Sequence, residues 1–398
     1  MATAYGTVIA GASAAGVSAA KELRRAGYAA PVTLLTSDPD PPYRRPPLSK
    51  ELLAAGGDEA GVRLRIDAEL GLTVVHGATA AGLDLDGRAV TCADGTTYGF
   101  DQLVIATGAS PVHPWRDAAP PGVHVLRTLA DARALKAALA GATRVAVIGA
   151  GFIGAEVAAA ARTLGRTVTL IDTLPAPHAP VLGPEIGAVC ADLHRAHGTE
   201  LRLGARVTGI TGDAHVTGVR LAGGETVAAD LVVVGVGVRP ETGWLDGSGV
   251  ALDDGVVCDA TCAVRGTGGG PLDGVAAAGD VARWPHPGSA APVRIEHWDN
   301  AVAQGRAAAR TLLGDPRPYA PTPYFWSDQY TAKIQVVGLP GADDDVAIAE
   351  GDTAAHRFVA VYSSAGRVTA ALSMNLPQRL GTYRRVVQAA GEMSEEKR

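Results

Sequence analysis

The 398-residue chain is too long for one hydrophobic core, and its 47% hydrophobic and 19% charged residues predict two or three folded domains. The formal net charge of -6 argues against a nucleic-acid partner, because phosphate binding needs clustered positive charge. Apolar runs fall short of the roughly 20 residues that span a membrane, and no Lys or Arg precedes the first apolar stretch. We therefore expect a cytoplasmic protein without a membrane partner.

The first dinucleotide-type pattern lies at the N-terminus, in TVIAGASAAG. Apolar residues 8–10 precede Gly11, Ser13 and Gly16, a helical pattern covers residues 17–25, and a strand pattern covers residues 31–35. Glycines at such a turn let the backbone approach a pyrophosphate, which then binds the free N–H groups of the helix start. The segment predicts a strand, a phosphate-binding turn and a helix.

A second copy follows the apolar run 145–148 and matches GxGxxG in full at Gly149, Gly151 and Gly154. Phe152 and Ile153 fill the variable places between the last two glycines. A helix is predicted from residue 155 to about residue 164, followed by a strand at residues 166–171. The same structural unit is therefore expected twice.

Acidic residues follow both second strands. Asp172, 23 positions after Gly149, is placed to accept hydrogen bonds from an adenosine ribose and to repel a 2′-phosphate, which favours NADH over NADPH. The alternative is an aspartate that merely ends a strand. In the first half the equivalent region is Ser37-Asp38, and either residue could bind a ribose.

Each half closes with a strand that leads into a glycine. The first closing segment ends in Ala106, Thr107 and Gly108, and the second, LVVVGVGVRP, contains Gly237. Two fingerprints with two matching closing strands indicate one dinucleotide-binding unit used twice. Two dinucleotides are implied, and a flavin with a nicotinamide forms a hydride acceptor and donor.

Thiol chemistry and metal binding are not expected. The cysteines Cys92, Cys190, Cys258 and Cys262 form no CxxC pair, and no His-rich neighbourhood offers metal ligands. We interpret Cys258 and Cys262, in VVCDATCAV, as structural thiols. A disulfide reductase or a peroxidase, which needs a reactive cysteine, is disfavoured.

The chain resembles the FAD-dependent NADH:ferredoxin reductases of the putidaredoxin reductase and biphenyl dioxygenase ferredoxin reductase type. The resemblance covers nearly the whole chain, and the order and spacing of its motifs are more specific than any one motif. These motifs are GASAAG at 11–16, YRRPPLSK at 43–50, IATG at 105–108, LRTL at 126–129, GAGFIGAEVAA at 149–159, AAGD at 277–280, EHWDNA at 296–301 and YFWSDQY at 324–330.

The resemblance implies which residues contact the cofactors. For FAD they are Gly11, Ala15, Gly16, Ser37, Lys50, Ala80, Arg127, Asp280 and Trp298. The NADH fingerprint supplies Gly149, Gly151, Gly154 and Asp172. The further cofactor-binding candidates are Ser13, Asp38, Arg45, Ala106, Thr107, Gly108, Phe152, Ile153 and Gly237. Asp280 could instead cap a helix.

Lys50 and Glu156 resemble the charged pair that lies near the reactive nitrogen of the flavin in this family, and we assign them the catalytic role. Phe152 is expected to cover the flavin until nicotinamide displaces it. These assignments follow from the joint match of the motifs, since a lone lysine or a first-turn glutamate is common on protein surfaces.

The resemblance implies an α/β fold with two Rossmann-like dinucleotide-binding domains of the glutathione reductase type and a small α+β C-terminal domain. We place an FAD domain at 1–113 and 245–316, an NADH domain at 114–244 and a C-terminal domain at 317–398. Alternation in RFVAVYS and RVTAALS predicts antiparallel strands, and RLGTYRRVVQAAG predicts a helix.

The expected activity is hydride transfer from NADH to FAD, followed by single-electron transfer to an iron–sulfur ferredoxin, of 2Fe–2S type, that serves a P450 monooxygenase or a ring-hydroxylating dioxygenase. The alternatives are an NADH oxidase, a monodehydroascorbate or quinone reductase, and a flavin-bound signalling protein of the apoptosis-inducing type. We expect a monomer or a weak dimer. Arginines at 44, 45, 294, 306 and 310 form either a basic docking face or unrelated surface charges.

Overall fold

The computed structural model describes residues 5–395, with side chains as far as residue 389. These residues form two compact units. Unit 1 contains residues 5–44, 62–110 and 239–323. Unit 2 contains residues 45–61, 111–238 and 324–395. The three-domain division with its boundaries stays a prediction.

The elements follow one another along the chain as two similar halves and a C-terminal extension. The first half contains β1 Thr7–Ala10, α1 Ala14–Arg25, β2 Val32–Thr36, β3 Thr73–His76, β4 Ala80–Asp84, β5 Ala89–Cys92, β6 Thr97–Gly99, β7 Gln102–Ile105 and β8 Ala109–Pro111. The second half contains β9 Val123–His124, α2 Leu129–Gly141, β10 Arg144–Ile148, α3 Phe152–Thr163, β11 Thr167–Ile171, α4 Ala179–Ala196, β12 Glu200–Arg202, β13 Val207–Thr211, β14 Gly218–Leu221, β15 Thr226–Ala228, β16 Leu231–Val234 and β17 Val238–Pro240.

The remaining elements complete unit 1 and then form the extension. They are β18 Val256–Val257, β19 Ala263–Arg265, β20 Pro271–Ala277, β21 Ala282–Arg283, α5 Trp298–Leu312, β22 Tyr324–Gln329, β23 Ala332–Gly338, β24 Asp345–Asp352, β25 Arg357–Ser364, β26 Arg367–Met374 and α6 Pro377–Glu395. Short 3₁₀ turns lie at Pro46–Ser49, Ala60–Val62, Ala68–Leu70, Arg116–Ala118 and Gly243–Leu245.

Unit 1 is built on the sheet β19-β20-β7-β1-β2-β3. Strand β1 pairs in parallel with β2 and β7, and all of its residues are buried. Strands buried on both faces read as continuous apolar runs, which explains the sequence of β1. A separate antiparallel sheet, β4-β5-β6, precedes the closing strand β7.

Unit 2 repeats this plan with the parallel sheet β12-β11-β10-β16-β9 and the antiparallel sheet β13-β14-β15. Its C-terminal part is the antiparallel sheet β22-β23-β26-β25-β24, followed by α6. Side chains of α4, including Leu182 and Ile186, pack into the core of this last sheet. The expected fold class is confirmed, as is the antiparallel pairing of β25 with β26.

Both fingerprint helices begin earlier than the sequence predicted. Helix α1 begins at Ala14 rather than at residue 17, and α3 begins at Phe152 rather than at residue 155. The glycine loops themselves form the first turn, with Ser13 and Gly151 as extended N-cap residues. Each first turn contains the last glycine of its loop, Gly16 or Gly154, and a glycine is not expected inside a helix, which caused the late prediction.

Candidate functional site

The first glycine loop, residues 11–16 of unit 1, has no room for larger side chains at its two ends. Gly11 has φ of +121°, and a Cβ atom there would lie 2.0 Å from the carbonyl oxygen of Ala106. A Cβ at Gly16 would lie 1.8 Å from the carbonyl oxygen of Gly11. The loop is therefore tightly held between the ends of β1 and β7. It leads into the first turn of α1, whose N–H groups lie at the positive end of the helix dipole.

Helix α5 and the turn after β20 close over the same loop. A Cβ at Gly305 would lie 2.2 Å from the carbonyl oxygen of Ala15, and one at Gly279 would lie 3.0 Å from the Ala15 Cβ. The N–H of Gly279 donates to Oε1 of Gln304 at 2.9 Å, which fixes the turn on α5. Unit 1 thus brings Asp280, next to Gly279, to the side of the first glycine loop.

The alternative that Asp280 caps a helix is wrong. Asp280 lies in the turn between β20 and β21, and the next helix, α5, begins at Trp298. Trp298 packs against the core of unit 1 that contains Ala15 and Ala301. The sequence AAGD resembled a cap because Asp often precedes helices, but here a short strand, β21, follows it.

Asp38, which follows β2 in unit 1, is hydrogen-bonded to residues a few positions further along the chain. The carboxylate of Asp38 accepts hydrogen bonds from the Tyr43 hydroxyl and, at 3.1 Å, from the N–H of Asp40. Ser37 is exposed beside it. The sequence left open whether Ser37 or Asp38 binds a ribose. In the structure Asp38 accepts the hydrogen bonds that organise the turn, whereas the Ser37 side chain is exposed.

The other residues assigned in unit 1 lie at strand ends. Ala80 begins β4. Thr107, directly after β7, donates its hydroxyl hydrogen to the carbonyl of Glu241 at 2.8 Å, and the Gly108 carbonyl accepts from the N–H of Glu241 at 2.9 Å. Ala106 supplies the carbonyl that faces Gly11.

The second glycine loop, residues 149–154 of unit 2, has the same tight ends and an open middle. A Cβ at Gly149 would lie 2.2 Å from the carbonyl oxygen of Gly235, and one at Gly154 would lie 2.0 Å from that of Gly149. A Cβ at Gly151 would meet no atom of the chain within 4 Å. This open space before the first turn of α3 fits the approach of a pyrophosphate.

Asp172 is tied directly to this loop. Its Oδ2 accepts the N–H of Ala150 at 2.5 Å, and its Oδ1 accepts the N–H of Leu174 at 2.8 Å. The carboxylate of a half-buried Asp172 therefore also holds the glycine loop in place. It is more than the end of a strand, and its lone pairs remain suited to hydroxyl donors.

The variable residues of the second loop point in different directions. Phe152 stacks on His178 with ring centroids 4.3 Å apart and meets Phe325 edge-on at 4.9 Å. Ile153 is 45% exposed. Gly237, after β16, has φ of +104° and accepts the N–H of Val112 through its carbonyl at 2.9 Å.

Lys50 and Glu156 form a nearly buried ion pair within unit 2. The Lys50 Nζ lies 2.9 Å from Oε2 of Glu156, with side-chain exposures of 10% and 2%. The Glu156 carboxylate also accepts hydrogen bonds from the hydroxyls of Ser49 and, at 2.6 Å, of Ser327. A buried carboxylate needs such partners, because unpaired charge is costly in a low-dielectric interior.

Two further assigned residues, Arg45 and Arg127, belong to unit 2. Arg45 precedes the 3₁₀ turn that carries Ser49, and Arg127 precedes α2. The N–H of Arg127 donates to Asp131 at 3.1 Å, and Thr128 and Asp131 form a capping box at the start of α2. The backbone at Arg127 is therefore firmly anchored.

The sequence analysis assigned no role to Ser327 or Gln329, which lie with Phe325 on the buried face of β22. The Gln329 amide nitrogen donates to Ser327 at 3.1 Å and contacts Nε2 of His178 at 3.2 Å. Two polar residues at alternate, inward positions of a strand are a usable signal, because buried polar groups need partners. His178 itself gave no such signal.

The thiols are unsuited to redox chemistry. All four cysteines are buried and free. Burial raises the pKa of Cys190 and of Cys262 to about 12, and it also raises the pKa values of Cys92 and Cys258. Thiolates are therefore scarce. Among the side chains of residues 5–389 no cluster suited to a metal ion is found.

The arginines considered for docking are partly neutralised. Arg294 pairs with Asp254 and Glu296, and Arg310 pairs with Glu22 at 2.9 Å. These pairs reduce the local positive field that steering requires. No helix within the described part of the chain combines the length and apolarity needed to cross a bilayer.

Comparison with known proteins identifies relatives along the whole chain. Residues 5–305 match the family model described as pyridine nucleotide-disulphide oxidoreductase, and residues 324–397 match the reductase C-terminal model. Rhodocoxin reductase of Rhodococcus erythropolis is 38% identical over 345 residues, which are 85% of this chain and 79% of that protein.

Two further similarities cover almost the full length. The ferredoxin–NAD(+) reductase component of the anthranilate 1,2-dioxygenase system of Burkholderia cepacia is 36% identical over 97% of this chain and 94% of its own. The solved covalent complex of putidaredoxin reductase with putidaredoxin matches with a TM-score of 0.90 and 32% identity, covering 96% of this chain and 92% of that one.

Proposed function

Because the chain belongs to the pyridine nucleotide-disulphide oxidoreductase family and carries its reductase C-terminal domain, we propose that it transfers electrons from NADH to a ferredoxin. It is an oxidoreductase that depends on FAD and NAD(H). When bound, FAD accepts a hydride from NADH and releases the two electrons singly to a one-electron acceptor. The observation that carries the proposal is the presence of two tightly held glycine loops of the dinucleotide-binding type in one chain.

We assign FAD to the first glycine loop and to the other FAD residues named from the sequence. Ser37 is the proposed ribose ligand, because its side chain is exposed at the end of β2. NADH is assigned to the second loop, where the open space at Gly151 and the carboxylate of Asp172 suit a pyrophosphate and an adenosine ribose.

We propose that Lys50 supplies positive charge where reduction adds negative charge, and that Glu156 holds the Lys50 ammonium in position. Lys50→Met is expected to slow the reduction of FAD by NADH about 100-fold, the size of effect typical for one lost charge-stabilising group. Stopped-flow bleaching of the flavin measures the rate. A wild-type rate in a folded, FAD-containing variant would exclude this role.

The buried thiols argue against the thiol-dependent members of the family, since a disulfide reductase needs an accessible thiolate. Electrons are therefore proposed to pass directly to an external acceptor. A 2Fe–2S cluster in that acceptor, a P450 or dioxygenase system behind it, a monomeric or weakly dimeric enzyme and a cytoplasmic location remain predictions that belong with this proposal.

The test is NADH-dependent reduction of a panel of ferredoxins by the purified yellow protein, with cytochrome c as a reporter. NADPH in place of NADH and oxygen as the sole acceptor serve as controls. Fast turnover that requires both a ferredoxin and NADH is expected. Rapid flavin reduction that no ferredoxin accelerates would contradict the proposal and would favour an oxidase, a quinone reductase or a signalling protein.

A further inference from the structure

A continuous chain of buried polar side chains runs through unit 2 from the Lys50–Glu156 pair to His178. Ser327 links Glu156 to Gln329, and Gln329 links Ser327 to His178, with contacts of 2.6, 3.1 and 3.2 Å. Glu156, Ser327, Gln329 and His178 are all buried. These hydrogen-bonded side chains therefore connect residues that lie far apart in the sequence, and every member from Glu156 to His178 is shielded from solvent.

The chemistry of each group fixes the direction of the hydrogen bonds. A carboxylate only accepts, so the hydroxyl of Ser327 donates to Glu156 and its oxygen is left to accept from the Gln329 amide. The second amide hydrogen of Gln329 is then directed at Nε2 of His178, which must act as an acceptor. His178 is consequently neutral, with its proton on Nδ1.

The protonation behaviour of His178 agrees with this order. Burial, together with the nearby His194, lowers the pKa of His178 to about 3. The imidazole therefore stays neutral at physiological pH, and Gln329 keeps its acceptor.

The other side of His178 is attached to the second glycine loop. Its ring stacks on Phe152, with an interplanar angle of 12°. The backbone N–H of His178 donates to the carbonyl of Ala150 at 3.1 Å. Ala150 in turn donates its own N–H to Asp172. His178 has φ of +57°, a left-handed conformation that places the ring over Phe152 while its carbonyl accepts from the first turn of α4.

We propose that His178 is a positioning residue that holds the Lys50–Glu156 pair through Gln329 and Ser327 and holds the second glycine loop through Phe152. The inference rests on the proposed function only in assuming that Lys50 acts on flavin reduction. His178 then fixes the position of the second glycine loop relative to the Lys50–Glu156 pair. Loss of the polar link should disturb the ion pair while leaving the loop, and hence nucleotide affinity, largely intact.

The hydrogen bond between Gln329 and His178 can be removed by substitution of either residue. His178→Phe keeps an aromatic ring against Phe152 but removes the acceptor, and Gln329→Met removes the donor. Each is expected to slow flavin reduction about tenfold, the factor that corresponds to one hydrogen bond of about 1.4 kcal/mol. The Kd for NADH should change less than about twofold, and the double variant should be no slower than either single variant.

The chain offers matched controls for both substitutions. His286→Phe changes a buried histidine of unit 1, whose Nε2 contacts the carbonyl of Pro321, and Gln335→Met changes a glutamine of the same sheet as Gln329 that donates to Tyr324. Both controls should leave the rate of flavin reduction within about twofold of wild type. A general loss of packing would instead lower the rate in controls and test variants alike.

A readout that does not involve activity tests the same inference in the unaltered protein. In protein labelled with ¹⁵N-histidine, the ring of His178, assigned through its contacts to Phe152, should show the neutral form protonated on Nδ1 between about pH 6 and pH 8. In Gln329→Met the two neutral forms should mix.

A charged ring, or a proton on Nε2, would overturn the inference whether or not the variants fold. Wild-type reduction rates in both test variants, or slowing that multiplies in the double variant, would also overturn it. Failure of every ferredoxin to accept electrons would leave these results unchanged, so failure of the proposed function is distinguishable.

Discussion

The two glycine loops share their backbone and differ in what surrounds them. The first, in unit 1, contains only Gly, Ala and Ser and is covered by α5 and by the turn at Gly279. The second, in unit 2, carries Phe152 and Ile153, and apolar side chains near it remain open to solvent. Those are Ile153 at 45%, Leu174 at 37% and Val236 at 39% exposure.

This difference explains how one structural unit can serve two ligands. A closed loop surrounded by backbone favours a cofactor that binds once and stays, because every opening would break packed contacts. A loop with exposed apolar residues favours a ligand that enters and leaves, since its covering surface arrives with the ligand. We infer that the first loop retains FAD and that the second exchanges NADH and NAD⁺.

The largest effect is expected when the first glycine of each loop is replaced by alanine. Gly11→Ala forces a Cβ against the carbonyl of Ala106, and Gly149→Ala forces one against Gly235, each at a left-handed φ. Gly11→Ala is expected to lower the FAD content at least about tenfold, because overlap of this kind costs about 1–3 kcal/mol or more. Gly149→Ala should retain FAD and lose reduction by NADH.

Flavin absorbance per polypeptide after gel filtration measures the FAD content, and anaerobic addition of NADH measures reduction. Equal loss of FAD in the two variants would show that the loops do not divide the ligands in this way.

A milder substitution probes the open middle of the second loop. Gly151→Ala adds a Cβ that meets no atom of the chain, so the thermal midpoint should not change. If a pyrophosphate occupies this space, the Kd for NADH should rise about tenfold. Gly209→Ala, another substitution into open space, is the matched control. An unchanged Kd for NADH would place the pyrophosphate elsewhere.

Much of this comparison could be read from the sequence. The glycine spacing, the apolar strands and the acid after each second strand predicted the strand–turn–helix–strand unit in both halves. These patterns depend on local geometry, which the sequence determines. The hydrogen bond from Tyr43 to Asp38 and the one from the N–H of Ala150 to Asp172 could not be predicted, since both depend on the exact path of a turn. Local patterns do not determine such contacts.

The polar chain behind the second loop was missed for a different reason. His178 and Gln329 are 151 positions apart, and their contact exists only because α4 packs on the C-terminal sheet. No periodicity connects such residues. The Lys50–Glu156 pair was found only through family resemblance, because a 3₁₀ turn and a helix start carry no common sequence signal.

Substitution of Asp172 and of Asp38, the acids that follow the second strand of each half, tests which glycine loop binds NADH. Asp172→Asn keeps an oxygen for the N–H of Ala150 but removes the charge that repels a 2′-phosphate. The preference for NADH over NADPH, measured as the ratio of kcat/KM values, is expected to fall about tenfold. Asp38→Asn, in the first half, should leave this ratio within about twofold, and a fall of similar size there would contradict the assignment of the loops.

The smallest expected effect concerns acid stability. Burial lowers the pKa of His178 to about 3 and that of His194 to about 4, below the ordinary value near 6.5. The unfolded chain therefore binds more protons below about pH 6.5, and stability falls as the pH is lowered from there toward 4. Each histidine contributes a slope approaching about 1.4 kcal/mol per pH unit.

Because His178→Phe removes one of these groups, it should flatten the fall in unfolding free energy between about pH 6.5 and pH 5 without abolishing it. Denaturant unfolding at several pH values measures the slope. An unchanged slope would mean that His178 is not held neutral by burial.

The central claim is that one chain keeps FAD and exchanges NADH, and an anaerobic titration of gel-filtered protein tests it most directly. The account predicts about one FAD per chain after gel filtration and complete bleaching of the flavin by about one equivalent of NADH, because one hydride reduces one flavin. NADPH should be much less effective. Loss of flavin on the column, or equal bleaching by NADPH, would contradict the account.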